Sequence, residues 1–190
     1  MSDVGDVRRV LSRWRERFTG NSIGGYSAAD IEAHSASLAK PLPAPIKALY
    51  QEVTPEAWDI LTKGQGEPGL LPLENLGWNN SLSYDEGGIV DNIGPGEPSW
   101  MVFGSFAFGD VLVWSELSIP PGAILFIFHE GERPLILGTS LAEWLERLMN
   151  CGGMEYADNL DDLKESALPL EVQAQFLDQH ARLNPPASDF

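Results

Sequence analysis

The apolar positions of this chain form short runs through its middle and helical stripes towards its ends. Within residues 99–149 (SWMVFGSFAFGDVLVWSELSIPPGAILFIFHEGERPLILGTSLAEWLERLM), apolar runs occupy 100–103, 111–114, 123–128 and 134–137. Gly or Pro punctuates each run, which predicts consecutive antiparallel strands over 99–103, 110–115, 122–128 and 134–137. The pattern then changes period. Leu141, Trp144, Leu145, Leu148 and Met149 fall on one stripe of a helix over 140–150. Ser140 and Glu143 stand at capping-box spacing before it, and Gly152 and Gly153 follow it.

Upstream the chain reads as helices and turns. Residues 4–18 place Val7, Val10, Leu11, Trp14 and Phe18 on one face and arginines on the other. Such a helix can lie on a membrane or serve as a peptide target; packing by its apolar stripe is the favoured reading. A helix begins at Ser27, with Asp30 as a capping acid, and runs to about Leu38. Residues 40–43 (KPLP) are extended, because a residue preceding proline is pushed out of helical geometry. Pro45 suits the first turn of a helix over 45–52, and Thr54 with Pro55 starts another over 55–62. Residues 70–73 predict a short strand, and Trp78 anchors the next. Residues 85–96 form an exposed loop or short hairpin. Beyond Gly153 the pattern is again helical and acidic, with Pro169 starting a last helix.

Together these elements predict an α+β fold. A curved, mainly antiparallel sheet carries N-terminal helices, a closing helix on one face and a C-terminal helical appendage. The expected organisation is an N-terminal helix and linker (1–26), a core domain (27–153) and an acidic helical appendage (154–190).

Charge changes the picture. The 190 residues contain 28 acids against 12 bases, a formal net charge of −16. Arg8, Arg9, Arg13, Arg15 and Arg17 crowd the first helix, so the rest of the chain is more acidic still. Such a field repels phosphate backbones and anionic lipid and attracts basic proteins, which argues against nucleic-acid and membrane partners. The plainer alternative is that the acidity only favours solubility. With a single cysteine, Cys151, the fold does not depend on an intramolecular disulfide. No charged-then-apolar leader and no run of transmembrane length is visible, so a cytoplasmic protein is expected.

A search for chemistry finds little. His34, His129 and His180 are scattered and have no second cysteine to join them, so neither a metal site nor a cofactor is expected. The glycine cluster over 63–69 lacks the G-K-[ST] ending of a phosphate loop. No nucleophile elbow or Cys–His signature occurs, and no catalytic residue is assigned. His129 beside Glu130 reads as a strand end rather than a general base. What remains is surface. Of the six tryptophans, Trp100, Trp114 and Trp144 belong to the sheet–helix layer. Trp58 and Trp78 are either interface anchors or satellite-core residues.

The apolar strand, the G-x-x-x-x-G-D turn at 104–110, the further strands and the S-x-x-E-W-L helix resemble the SUKH superfamily, named for Smi–Knr-type cell-wall-assembly regulators. Ile31, Leu38, Leu42 and Pro43 fit its N-terminal pattern, with Ile46, Leu49 and Tyr50 on the helix that follows. Residues 70–76 (LLPLENL) match the strand between the two halves. The resemblance covers roughly residues 27–150 and rests on order and spacing. It implies an immunity protein that neutralises a basic toxin domain, such as a nuclease, by occluding its active site. The alternative it implies is a regulatory adaptor that binds several proteins. Acids on turns would then make the contact: Asp85, Glu86, Asp91, Glu97, Asp110, Glu116, Glu130 and Glu132, all expected along one edge of the sheet.

Overall fold

The structure, a computed structural model, describes residues 3–18, 24–61, 69–78, 100–105, 109–116, 121–127, 135–150, 168–169 and 171–172. Four helices come first: α1 (Asp3–Phe18), α2 (Ala28–Ser37), α3 (Ala44–Glu52) and α4 (Pro55–Leu61). The strands β1 (Gly69–Leu70), β2 (Gly77–Trp78), β3 (Trp100–Ser105), β4 (Val111–Ser115), β5 (Ala123–Ile127) and β6 (Leu135–Gly138) follow, and then α5 (Leu141–Asn150). They make one six-stranded antiparallel sheet of order β1-β3-β4-β5-β6, with β2 also paired to β3. This is the α+β arrangement that the apolar pattern predicts. The four long strands and α5 lie within a residue or two of their expected limits.

The short edge differs from expectation. A strand was expected over 70–73, but pairing stops at Leu70 and a 3-10 turn (Leu73–Asn75) follows. Pro72 caps that turn, and proline has no N–H to give to a sheet ladder. β1 pairs with the end of β3 and β2 with its beginning, so the two make one broken edge strand along β3. Tyr50 pins the break. Its hydroxyl lies 2.7 Å from the Leu71 carbonyl oxygen and 3.1 Å from that of Phe103. Full burial, with a smaller push from Tyr26, raises the phenol well above its ordinary pKa and keeps it a donor. Ahead of α2 the chain passes so close to the end of α3 that a Cβ on Gly25 would sit 2.3 Å from the Gln51 carbonyl. Only glycine fits there.

Register builds rows across the sheet. Trp78, Met101, Trp114, Ile124 and Gly138 are successive partners across five strands, as are Gly77, Val102, Val113, Leu125 and Ile136. Cross-strand partners share a face, so the first row is a continuous apolar band. The pairing of β3 with β4 shifts between Val102 and Gly104, leaving Phe103 between registered pairs. Its ring meets Trp144 of α5 edge-on at 5.8 Å. Trp144 stacks on Trp58 of α4 at 5.9 Å, and Trp58 meets Trp14 of α1 at 5.5 Å. This column of rings joins three helices to the sheet.

Caps fix where the helices start. The Ser27 hydroxyl accepts from the Asp30 amide at 3.1 Å, and the Thr54 hydroxyl accepts from Ala57 at 3.2 Å. At α5 the expected box forms in modified geometry. Ser140 Oγ accepts from the Glu143 amide at 3.1 Å, but Glu143 reaches back to Thr139 rather than to the cap residue itself. It takes both the Thr139 amide (2.8 Å) and its hydroxyl (2.6 Å), and Arg147 holds its other oxygen. Partial burial alone would raise the Glu143 pKa. The hydrogen bonds from Thr139 and the Arg147 guanidinium outweigh that and hold it below the ordinary range.

Most of 154–190 lies outside the described residues, as do the helices expected there apart from Glu171 and Val172, which are helical. Leu168 is clear. It is 5% exposed and belongs to the core, and its amide donates to the Ile136 carbonyl of edge strand β6 at 2.8 Å. At that point the C-terminal stretch closes an edge that could otherwise pair with another chain.

Two predictions follow from this packing. Leu168→Ala should cost about 2–5 kcal/mol in urea unfolding, the range for truncating a buried leucine; a loss under about 0.5 kcal/mol would mean the residue is not packed. Because the Glu143 pKa is lowered by folding, its contribution is present above the ordinary glutamate range and lost as pH falls through the folded value. Unfolding titrations should therefore show Glu143→Gln losing less stability than wild type on acidification. Parallel curves would contradict the capping role.

Candidate interaction surface

The basic face of α1 proves to be internal wiring. Arg8 and Arg15 pair with Glu52 of α3, Arg13 with Glu146 of α5, and Arg9 with Asp6. Val7, Val10, Leu11 and Trp14 are buried beneath, so the packed-helix reading holds for the described part of α1. Elsewhere Lys47 pairs with Glu32, Lys40 with Glu116 and Arg147 with Glu143. Arg8, Arg9, Arg13, Arg15, Lys40, Lys47 and Arg147 thus all lie in ion pairs. Acids are left over. Glu16, Asp30, Glu56, Glu74 and Glu171 are exposed and make no ion pair. On α4 the Asp59 carboxyl is raised, first by partial desolvation and then by Glu56 one turn away.

Of the eight acids expected to form the contact, Asp85, Glu86, Asp91, Glu97, Glu130 and Glu132 lie outside the described residues. Asp110 and Glu116 are placed, and they do not share an edge. Asp110 immediately precedes β4 and Glu116 immediately follows it. Six residue steps of strand separate them by about 20 Å. The register extends this division. Ile127, where the chain leaves β5 towards Glu130 and Glu132, is paired with Val111 beside Asp110. Trp78 and Trp100, which bound the segment carrying Asp85 to Glu97, lie at the Glu116 end. Asp110 and Glu116 thus stand at opposite ends of β4 and not along one edge. Alternation of turns along a meander dictates this, since each hairpin reverses the chain.

At the Glu116 end side chains converge. Trp78 lies edge-on to Trp114 at 5.9 Å, and its indole N–H lies 2.9 Å from the Lys40 carbonyl oxygen and 3.1 Å from that of Pro41. The Lys40 ammonium sits 4.7 Å from the centre of the Trp78 ring and bonds the Glu116 carboxylate. Trp114 is buried against Gly122, whose φ of +122° favours glycine, and the Trp114 N–H has no acceptor. Trp78 is half-buried here, at the rim of the core. Trp58 is wholly buried between Trp14 and Trp144, which settles it as a core residue and not an interface anchor. The role of Lys40 was not legible in the sequence, because its partner is 76 residues away.

Among the described residues no three His, Cys, Asp or Glu side chains come together as metal ligands, and no helix is long and apolar enough to cross a membrane. Compared with protein families, with curated proteins and with solved structures, the chain gives no match.

Proposed function

We propose that this protein is an immunity protein of the SUKH type, which captures a basic toxin domain such as a nuclease in the cytoplasm and blocks its active site. One observation carries the reading: the chain has a formal charge of −16, and Arg8, Arg9, Arg13, Arg15, Lys40, Lys47 and Arg147 are each held by an acid of the same chain. The outward field is therefore acidic at close range as well as in sum. Such a field accelerates encounter with a basic surface by roughly 10- to 1,000-fold at low salt. The order and spacing of residues 27–150 support the same reading. The Glu116 end of the sheet is the favoured contact. It combines the Trp78–Trp114 pair with Glu116, and Asp85, Glu86, Asp91 and Glu97 fall in the sequence between Trp78 and Trp100, which both stand there.

Co-expression with the protein encoded beside its gene should protect cells from that protein, and the two should co-purify. Absence of both protection and a complex would sink the proposal. The location is tested separately. Reversing Asp85, Glu86, Asp91 and Glu97 to Lys should slow association at low salt by at least about tenfold and flatten its salt dependence, with little change in stability. Reversing Asp110, at the opposite end of β4, together with Glu130 and Glu132 should affect the rate much less. The reverse ranking would move the contact to that end.

A further inference from the structure

The Lys40 site can be separated into a socket and its occupant. The socket is the Trp78 ring face and the Glu116 carboxylate. The Trp78 ring is positioned without the Lys40 side chain. Trp78 is held through its N–H by the backbone carbonyls of Lys40 and Pro41, through its edge by Trp114, and through its backbone by pairing with Met101. Glu116 is brought to the same end by its place directly after β4, where its carboxylate bonds Lys40. The occupant is an ammonium on a four-carbon tether. Lysine side chains are flexible and their charge is a compact point, so this one can leave the ring while the backbone carbonyls of Lys40 and Pro41 still hold Trp78. Both side chains of the pair are open to solvent, Lys40 at 34% and Glu116 at 41%.

Building on capture of a basic partner, we propose that this socket is a cation-binding site. Its ligand in the complex is a lysine ammonium of the partner, and Lys40 fills the site until that ammonium arrives. A cation over an indole face gains from the ring quadrupole, and the adjacent carboxylate adds a charge-assisted hydrogen bond. The socket therefore suits a primary ammonium, the chemistry it already holds. Lys40 acts as a tethered competitor. A tether gives an effective concentration in the millimolar range or above, so dilute free amines are excluded. A docked protein whose other contacts hold its own lysine at comparable local concentration is not. The acidic surroundings concentrate such partners, and the tethered competitor rejects those that bring only charge.

The test uses the whole chain and a simple probe, n-butylammonium, at ionic strength matched with sodium chloride. The readout is the indole N–H resonance of Trp78, identified as the signal missing from Trp78→Phe. Lys40→Ala keeps the backbone carbonyls that hold Trp78 and should respond saturably, with an apparent dissociation constant at least about tenfold below wild type. Adding Glu116→Gln should abolish the gain, and n-butanol, which carries no charge, should have no effect. A Lys40→Ala response no stronger than wild type would overturn the proposal. So would an equal response to n-butanol, which would mark apolar packing alone. Either failure would leave toxin capture standing through other acids. Conversely, a protein that protects against no toxin could still bind n-butylammonium as described.

Discussion

Trp58 sits at 0% exposure between Trp14 and Trp144, and the packing of the helical layer turns on that contact. α4 is short and α1 has no strand of its own to cover. Neither could be placed by local preference, since short isolated helices are marginal in water. The ring column gives each a large apolar surface to bury against the others, and Phe103 carries the column into β3. Around it the arginines of α1 reach outward to Glu52 and Glu146, fixing the rotation of the helix more than adding energy. Gly138 completes the fit: a Cβ there would lie 2.9 Å from the Trp144 amide.

Those ion pairs also connect the fold to its proposed function. An acidic chain with unpaired surface arginines would present a mixed surface. Here Arg8, Arg9, Arg13, Arg15, Lys40, Lys47 and Arg147 lie against acids of the same chain, while Glu16, Asp30, Glu56, Glu74 and Glu171 face solvent. Electrostatic capture of a basic protein needs such a surface more than it needs a pocket. The Lys40 pair is the instructive exception, because it lies on an aromatic face where another cation could replace it.

How much was legible in the sequence follows from the range of each signal. The capping serines, the amphipathic stripe of α5 and the Gly-bounded strands are local, and they appear where the pattern puts them. The break at Pro72 is equally local, but it lies inside the apolar run LLPL, which has the pattern of a strand. Trp58 could have been either anchor or core, because nothing within α4 says that Trp14 and Trp144 will flank it. Asp110 and Glu116 both read as turn acids of one edge; only the span of β4, with Val111 opposite Ile127 and Ser115 opposite Trp100, puts these two at opposite ends. Leu168 was missed for the same reason, since its partner Ile136 belongs to a different element.

The claim that the ring column works as a unit is tested most directly by a double-mutant cycle between Trp58→Leu and Trp144→Leu, read by urea unfolding. Stacked indoles that support each other should give a coupling of about 0.5–1.5 kcal/mol, so that the double variant loses less than the sum of the singles. Strict additivity within about 0.3 kcal/mol would contradict the account, because α4 and α5 would then be held independently.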